Sequence, residues 1–231
     1  MAESQELINK VAKYLEKYMA RYDGSHDFHH LGRVVGLSHD IYNQLKTTNP
    51  STNLNLTIIT LSALLHDVGD RKYVTKEEDP ATMIRELLLG FGANRELAEK
   101  VQTICKGVSW SSEIKDTVKV KELIEQHPEL AVVQDADRLD ALGAVGVGRV
   151  FTYGGATNRE MEDSMSIFES NLLRMEASMK TEPGKQMAKQ RTEILRNFRK
   201  WWNEEVKIEG VGASVLKSAL DSDSSGVEKE S

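Results

Sequence analysis

Five of the six histidines lie early in the chain, at positions 26, 29, 30, 39 and 66, and three fall within His26-Asp27-Phe28-His29-His30. On a helix, positions 26, 29 and 30 share one face, which Arg33 and Val34 extend by another turn. Imidazoles grouped this way are costly to leave unpaired; the plain alternative is a solvated His-rich turn. A second polar island, His66-Asp67, ends the apolar run 56–65. Bringing two ligand-type residues to the end of a buried helix needs a reason, unless the imidazole merely meets the helix dipole and the carboxylate caps the next turn. In the third island, 131–143, Asp135, Asp137 and Asp140 stand among core-type residues. Such carboxylates are metal-bound or paired, with Arg138 as the nearest salt-bridge partner. Together His30, His66, Asp67 and Asp137 would make a mixed nitrogen and oxygen donor set. That set suits one divalent first-row metal such as Mn, Fe, Co, Ni or Zn over Ca; Mn is the one expected first, and Mg is a further possibility. Such a metal makes water acidic enough to be a nucleophile near neutral pH.

Apolar residues recur at three- and four-residue steps through most of the chain, with 4 Pro and little strand-like alternation, so the expected fold is all-α. The spacing predicts helices over 3–22, 27–45 and 56–66, the last apolar on nearly all sides and therefore central. Asp79 and Pro80 carry the cap and first-turn signals of a helix reaching 89, and Asn94 caps another reaching 105. The stretch 106–119 lacks a clear period and reads as a loop, long enough to suggest function. A small-residue helix is expected over 129–153, then long polar helices over 158–180 and 183–206. After Gly210 the composition is that of a disordered tail over 211–231, leaving one domain over 1–210.

A chain of 231 residues allows one large domain or two small ones, and no linker divides it. Thirty Lys and Arg against 36 Asp and Glu give a net charge of −6, which argues against long nucleic acid or anionic lipid as partners. Cys105 is the single cysteine, so no internal disulfide forms. The N-terminus is amphipathic and charged, unlike a signal peptide, and no apolar run approaches the ~20 residues of a membrane span. A cytoplasmic protein is expected, and the polar C-terminal helices leave a homodimer open. Trp201-Trp202 on the last long helix read as core or interface packing.

Other catalytic templates are missing. There is no phosphate-binding G-x-x-x-x-G-K-[ST] loop, the segment GVGRVF lacks the third glycine of a dinucleotide fingerprint, and no G-x-S-x-G elbow occurs.

The three islands, in the forms HDFHHLGRVV, LLHDVGD and QDADRLDALG, resemble the HD-domain metal-dependent phosphohydrolases, in the right order over roughly residues 22–155. The whole length is similar to the compact single-domain branch that acts on nucleotides. The resemblance implies that His30, His66, Asp67 and Asp137 are the metal ligands, with His26 and Asp27 on the substrate side of their helix. It implies that Asp70, with Asp67, works on the attacking water or leaving group, although Asp70 is shorter than the Glu found in related nucleotidases. Arg33, Arg71, Lys72 and Arg138 become candidates for binding the substrate, the last three by holding phosphate oxygens. The implied reaction is pyrophosphohydrolysis of a (deoxy)nucleoside triphosphate. A 5′-nucleotidase, a metal-dependent nucleotide sensor without turnover and a helical scaffold with a vestigial site are the alternatives.

Overall fold

A computed structural model describes residues 2–69, 74 and 78–224, with side chains described to residue 217. Among these residues the chain is all helix and turn, with no strand. The centre is α3 (Leu56–Leu65), whose residues Ile58 to Leu65 are all buried. Asn55 starts it by accepting hydrogen bonds from the Thr57 and Ile58 amides. Around it pack α1 (Ala2–Tyr18), α2 (Phe28–Thr48), α5 (Arg95–Val108) and α8 (Glu129–Asp140). α1 applies the stripe Leu7, Val11, Leu15 and Tyr18, the three- and four-residue spacing of an amphipathic helix. α2 also lies along α8, so α2, α3 and α8 meet one another.

Four expectations need correction. Asp79 does not open a helix directly: its carboxylate accepts from the Ala81 amide and the Thr82 hydroxyl, holding a turn, and α4 (Met83–Gly90) starts after it. The supposed loop at 106–119 is helical. α5 runs on to Val108, then come α6 (Trp110–Lys115) and α7 (Thr117–Gln126), the latter capped by Asp116. The residue α6 buries is Glu113, so the apolar period that marks a helix is absent there. The expected helix over 129–153 is two: α8 stops at Asp140 and α9 (Gly143–Ala156) begins at Gly143, whose φ of +72° reverses the chain. Finally, the single long helix expected over 158–180 is interrupted by a π-turn at Phe168–Leu172 and a 3-10 turn at Glu176–Ser178. Toward the C-terminus α13 (Glu209–Ser224) has exposed side chains where they are described, and residues 225–231 lie outside the description.

Between them, α10 (Met161–Ile167) passes through a π-turn into the short α11 (Leu173–Met175), and α12 (Glu182–Glu205) returns against α8 and α9. Phe151, Phe168, Phe198 and Trp202 form an aromatic cluster beneath α12, while Trp201 is 58% exposed. Cys105 is buried, its thiol within 3.6 Å of the Ser62 carbonyl. No helix of the described residues is long and apolar enough to cross a membrane.

Leu61, fully buried in α3, tests the central role of that helix. Leu61→Ala should lower the unfolding free energy by about 2–5 kcal/mol, read as a lower denaturant midpoint at unchanged slope.

Candidate metal centre

Asp27 caps α2 by accepting the His30 amide at 2.9 Å, which fixes the first turn and with it the direction of His30. His66 stands at the C-cap of α3, where the helix delivers it from a buried, mostly apolar stem without a charged residue. Both rings are tied from behind. His30 Nδ1 lies 2.7 Å from Asp140 Oδ2, and His66 Nδ1 lies 2.8 Å from the Ala63 carbonyl oxygen. Each partner is an acceptor, so in the neutral rings Nδ1 carries the proton and donates it, leaving a lone pair on Nε2. The two Nε2 atoms are 3.2 Å apart. Two lone pairs held that close repel each other unless a cation, a proton or a metal, lies between them.

Two carboxylates meet the same point. Asp67 places its oxygens 3.4 Å from His30 Nε2 and 3.5 Å from His66 Nε2, and Asp137 Oδ1 lies 3.7 and 3.6 Å from the same atoms. His30, His66 and Asp137 each offer a donor atom within 4.8 Å of the others. The imidazoles are 1% and 3% exposed, Asp67 14% and Asp137 24%, so the centre opens on its carboxylate side. Asp67 Oδ2 is buried without a hydrogen-bond partner.

The electrostatics report the same demand for positive charge. Burial lowers the proton affinity of His66, but the charges of Asp67 and Asp137 outweigh it and carry its pKa to about 9. Burial raises the Asp67 pKa, yet His66 and His30 pull it well below the usual carboxylate range, and Asp137 is lowered in the same way. Two imidazole nitrogens with fixed tautomers, two carboxylates and one orphaned oxygen fit a divalent metal ion. A metal would compete there with the proton that His66 otherwise retains.

The backbone behind the doublet is fastened too. The Tyr22 hydroxyl donates to the Asp67 carbonyl at 3.1 Å and the Tyr18 hydroxyl accepts from the Gly69 amide at 3.3 Å. Gly69 turns the chain away at φ +81°, and a Cβ there would stand 3.3 Å from Pro80, so only glycine fits without strain.

Sequence reasoning named Asp140 only as one of three carboxylates and assigned nothing to Arg149. Asp140 is the hub of the second layer. Besides orienting His30, it accepts from Arg33 Nε at 2.7 Å and Nη2 at 3.1 Å, and from Arg149 Nη1 at 3.2 Å. Arg149 Nε also donates to the Ser25 carbonyl, clamping α9 to the entry of α2. Burial raises the Asp140 pKa, but the hydrogen bonds from His30 and Arg33 prevail and hold it at about 2. The signal for Asp140 was its spacing, three after Asp137 on one helix face.

The remaining candidates divide. His26 stays beside the centre, its ring 6.0 Å from that of His30. Asp27 uses Oδ1 for the helix cap. Arg33 bonds to Asp140, at the rim of a cleft of about 320 Å³ also lined by Asp40, Val145 and Arg191. Arg138 does not face the centre: it is buried against Glu113, at 2.5 Å, and the Ser178 carbonyl. Lys180 joins Glu113 from the other side at 2.7 Å. Asp135 likewise turns away, accepting the Lys180 and Thr181 amides and the Thr181 hydroxyl. Asp70, Arg71 and Lys72 lie outside the described residues.

Comparison with known proteins gives consistent relatives. Residues 10–142 match the family described as HD domain. The uncharacterized protein YpgQ of Bacillus subtilis is 29% identical over 194 residues, 82% of this chain and 88% of that one. A crystal structure of YpgQ in complex with ADP superposes with a TM-score of 0.69 at 25% identity, covering 88% of this chain and 96% of that one. An HD-superfamily hydrolase of Bacillus thuringiensis does so with a TM-score of 0.65 at 28% identity, covering 88% and 98%.

Two substitutions test the roles around the centre. Asp140→Asn should weaken metal binding about 10- to 100-fold, measured by titration calorimetry with Mn against a competing chelator, because the amide no longer provides the charged acceptor for His30 Nδ1. Asp27→Asn should keep the parent's melting temperature, whereas Asp27→Ala should lose about 1 kcal/mol of stability; equal loss in both would mean that the charge, not the cap, matters.

Proposed function

The chain belongs to the HD-domain family, and from that premise we propose that it is a metal-dependent phosphohydrolase acting on a nucleotide, with a (deoxy)nucleoside triphosphate as substrate and pyrophosphate as the released product. The observation that carries this reading is the pair of imidazole Nε2 atoms 3.2 Å apart, flanked by Asp67 and Asp137. YpgQ, crystallised with ADP, adds support for a nucleotide.

His30, His66, Asp67 and Asp137 would hold one divalent metal of the kind that takes mixed imidazole and carboxylate ligands, and Mn is the one proposed. When bound, that ion supplies Lewis acidity toward a phosphoryl oxygen and toward water. The protein's own groups do the rest. Asp67, whose carboxyl, despite its burial, His66 and His30 hold well below the usual carboxylate range, is proposed to orient the attacking water beside the metal position. Asp70, three residues on, is proposed to share that work or to serve the leaving oxygen, and Arg71 and Lys72 to neutralise phosphate oxygens. His26, beside His30, would meet the substrate as it reaches the open carboxylate side. The buried imidazoles keep water from that rear face, so attack comes from the side on which Asp67 and Asp137 are exposed.

The test is product analysis. Metal-stripped protein is incubated with nucleoside mono-, di- and triphosphates, and Mn, Co, Ni, Mg or Zn is added back. Metal-dependent release of pyrophosphate from triphosphates is expected, with loss of at least about 100-fold in His66→Ala and Asp137→Ala. Release of orthophosphate from monophosphates instead would make it a 5′-nucleotidase. Tight metal and nucleotide binding without any product would overturn hydrolysis in favour of sensing.

A further inference from the structure

α9 ends in a reversal that places one arginine oddly. The Arg159 amide donates to the Gly154 carbonyl at 2.8 Å and the Asn158 amide to the Gly155 carbonyl at 3.3 Å, while Asn158 takes φ 54°. This is a Schellman turn, with asparagine at the left-handed position that it tolerates better than most residues. The turn folds Arg159 back over its own helix, with the guanidinium carbon 5.4 Å from the centroid of the Tyr153 ring. There, Arg159 Nη1 is buried and has no hydrogen-bond partner. Leaving a donor of a permanently charged group unpaired is costly, and such a donor calls for a partner, an ordered water or an anion.

Its position relates it to the metal centre. The Tyr153 ring meets His26 edge-on at 5.9 Å, and His26 meets His30 at 6.0 Å. Ring contacts therefore lead from a proposed metal ligand to Arg159. Among the described residues, other arginines around α8 and α9 are committed: Arg33 and Arg149 to Asp140, Arg138 to Glu113, and Arg191 to the Leu139 carbonyl.

Charge decides what can pair with it. A divalent ion among two neutral imidazoles and two carboxylates is close to neutral. It can meet the charge of the phosphate under attack, but a polyphosphate brings further charge, which Arg71 and Lys72, proposed above for phosphate oxygens, would share with a further cation on this wall. A planar guanidinium matches phosphate oxygens in both charge and geometry. We infer that Arg159, carried on the His26–Tyr153 wall, binds a phosphate of a nucleoside polyphosphate beyond the one at the metal, and so selects di- and triphosphates over monophosphates. This rests on the phosphohydrolase reading for the location of the reacting phosphate.

The test uses the full chain loaded with Mn, and compares α,β-methylene-ATP, which resists cleavage between the first two phosphates, with AMP by titration calorimetry. The parent should bind the triphosphate more tightly. Arg159→Gln should lose about tenfold or more for the triphosphate, leave AMP unchanged, and melt no lower than the parent, since the substitution removes an unsatisfied donor. Arg159→Lys, which keeps the charge, should recover part of the loss and stands in if the glutamine variant does not fold. Equal affinity of the parent for both ligands overturns the inference. So does an unchanged triphosphate affinity in Arg159→Gln, or an equal loss for both ligands with a lowered melting temperature, which marks a structural arginine. A chain that discriminates as expected yet releases no product from ATP overturns hydrolysis and leaves this binding role standing.

Discussion

Two imidazole nitrogens, each forced to present a lone pair, face each other across 3.2 Å in a buried place that also collects two carboxylates. Such a place demands a cation, because like-signed density is concentrated where water cannot dilute it, and a proton on His66 or a metal ion answers that demand. The arrangement persists because three helices that pack on one another each deliver a part of it. The apolar packing of α3 against α1, α2, α5 and α8 supplies the favourable free energy that offsets burying these polar groups. A stem of Ile58 to Leu65 with no charged residue makes sense as the rigid support of a doublet that must not move.

α8 shows how a single helix can serve a site and a core together. Asp137 and Asp140 are three residues apart and share the face toward α2 and α3, where one joins the centre and the other orients His30. Asp135 and Arg138 are also three apart and share a different face. There Asp135 holds the turn before α12, and Arg138 pairs with Glu113 of α6. The second face does not touch the chemistry but sets the rotation of the helix, since any slip would expose an uncompensated buried charge. Rotation of α8 about its axis is in turn what points Asp137 into the centre.

The fold class was legible because amphipathic spacing is local: the stripe Leu7, Val11, Leu15 and Tyr18 buries one side of α1 as its period requires. It was not legible where a helix buries a charge or is too short to show a period. α6 hides Glu113, and only the partners Arg138 and Lys180, 25 and 67 residues away, make that burial tolerable. The break between α8 and α9 escaped notice for a related reason, since glycine at 143 reads equally as close packing or as a positive φ.

For the site, residue type and spacing by themselves determined that three polar islands lay in apolar surroundings, and that imidazoles and carboxylates of metal-binding kind were among them. Only the tertiary structure decided which way each one faces. Asp27 bonds its own helix, Arg138 turns from the centre, Asp140 becomes the group that sets the tautomer of His30, and Arg159 keeps a buried donor without a partner. The physical reason is that burial and charge state are properties of pairs distant in the chain. His30 and Asp140 are 110 residues apart, and no local pattern carries the 2.7 Å between them.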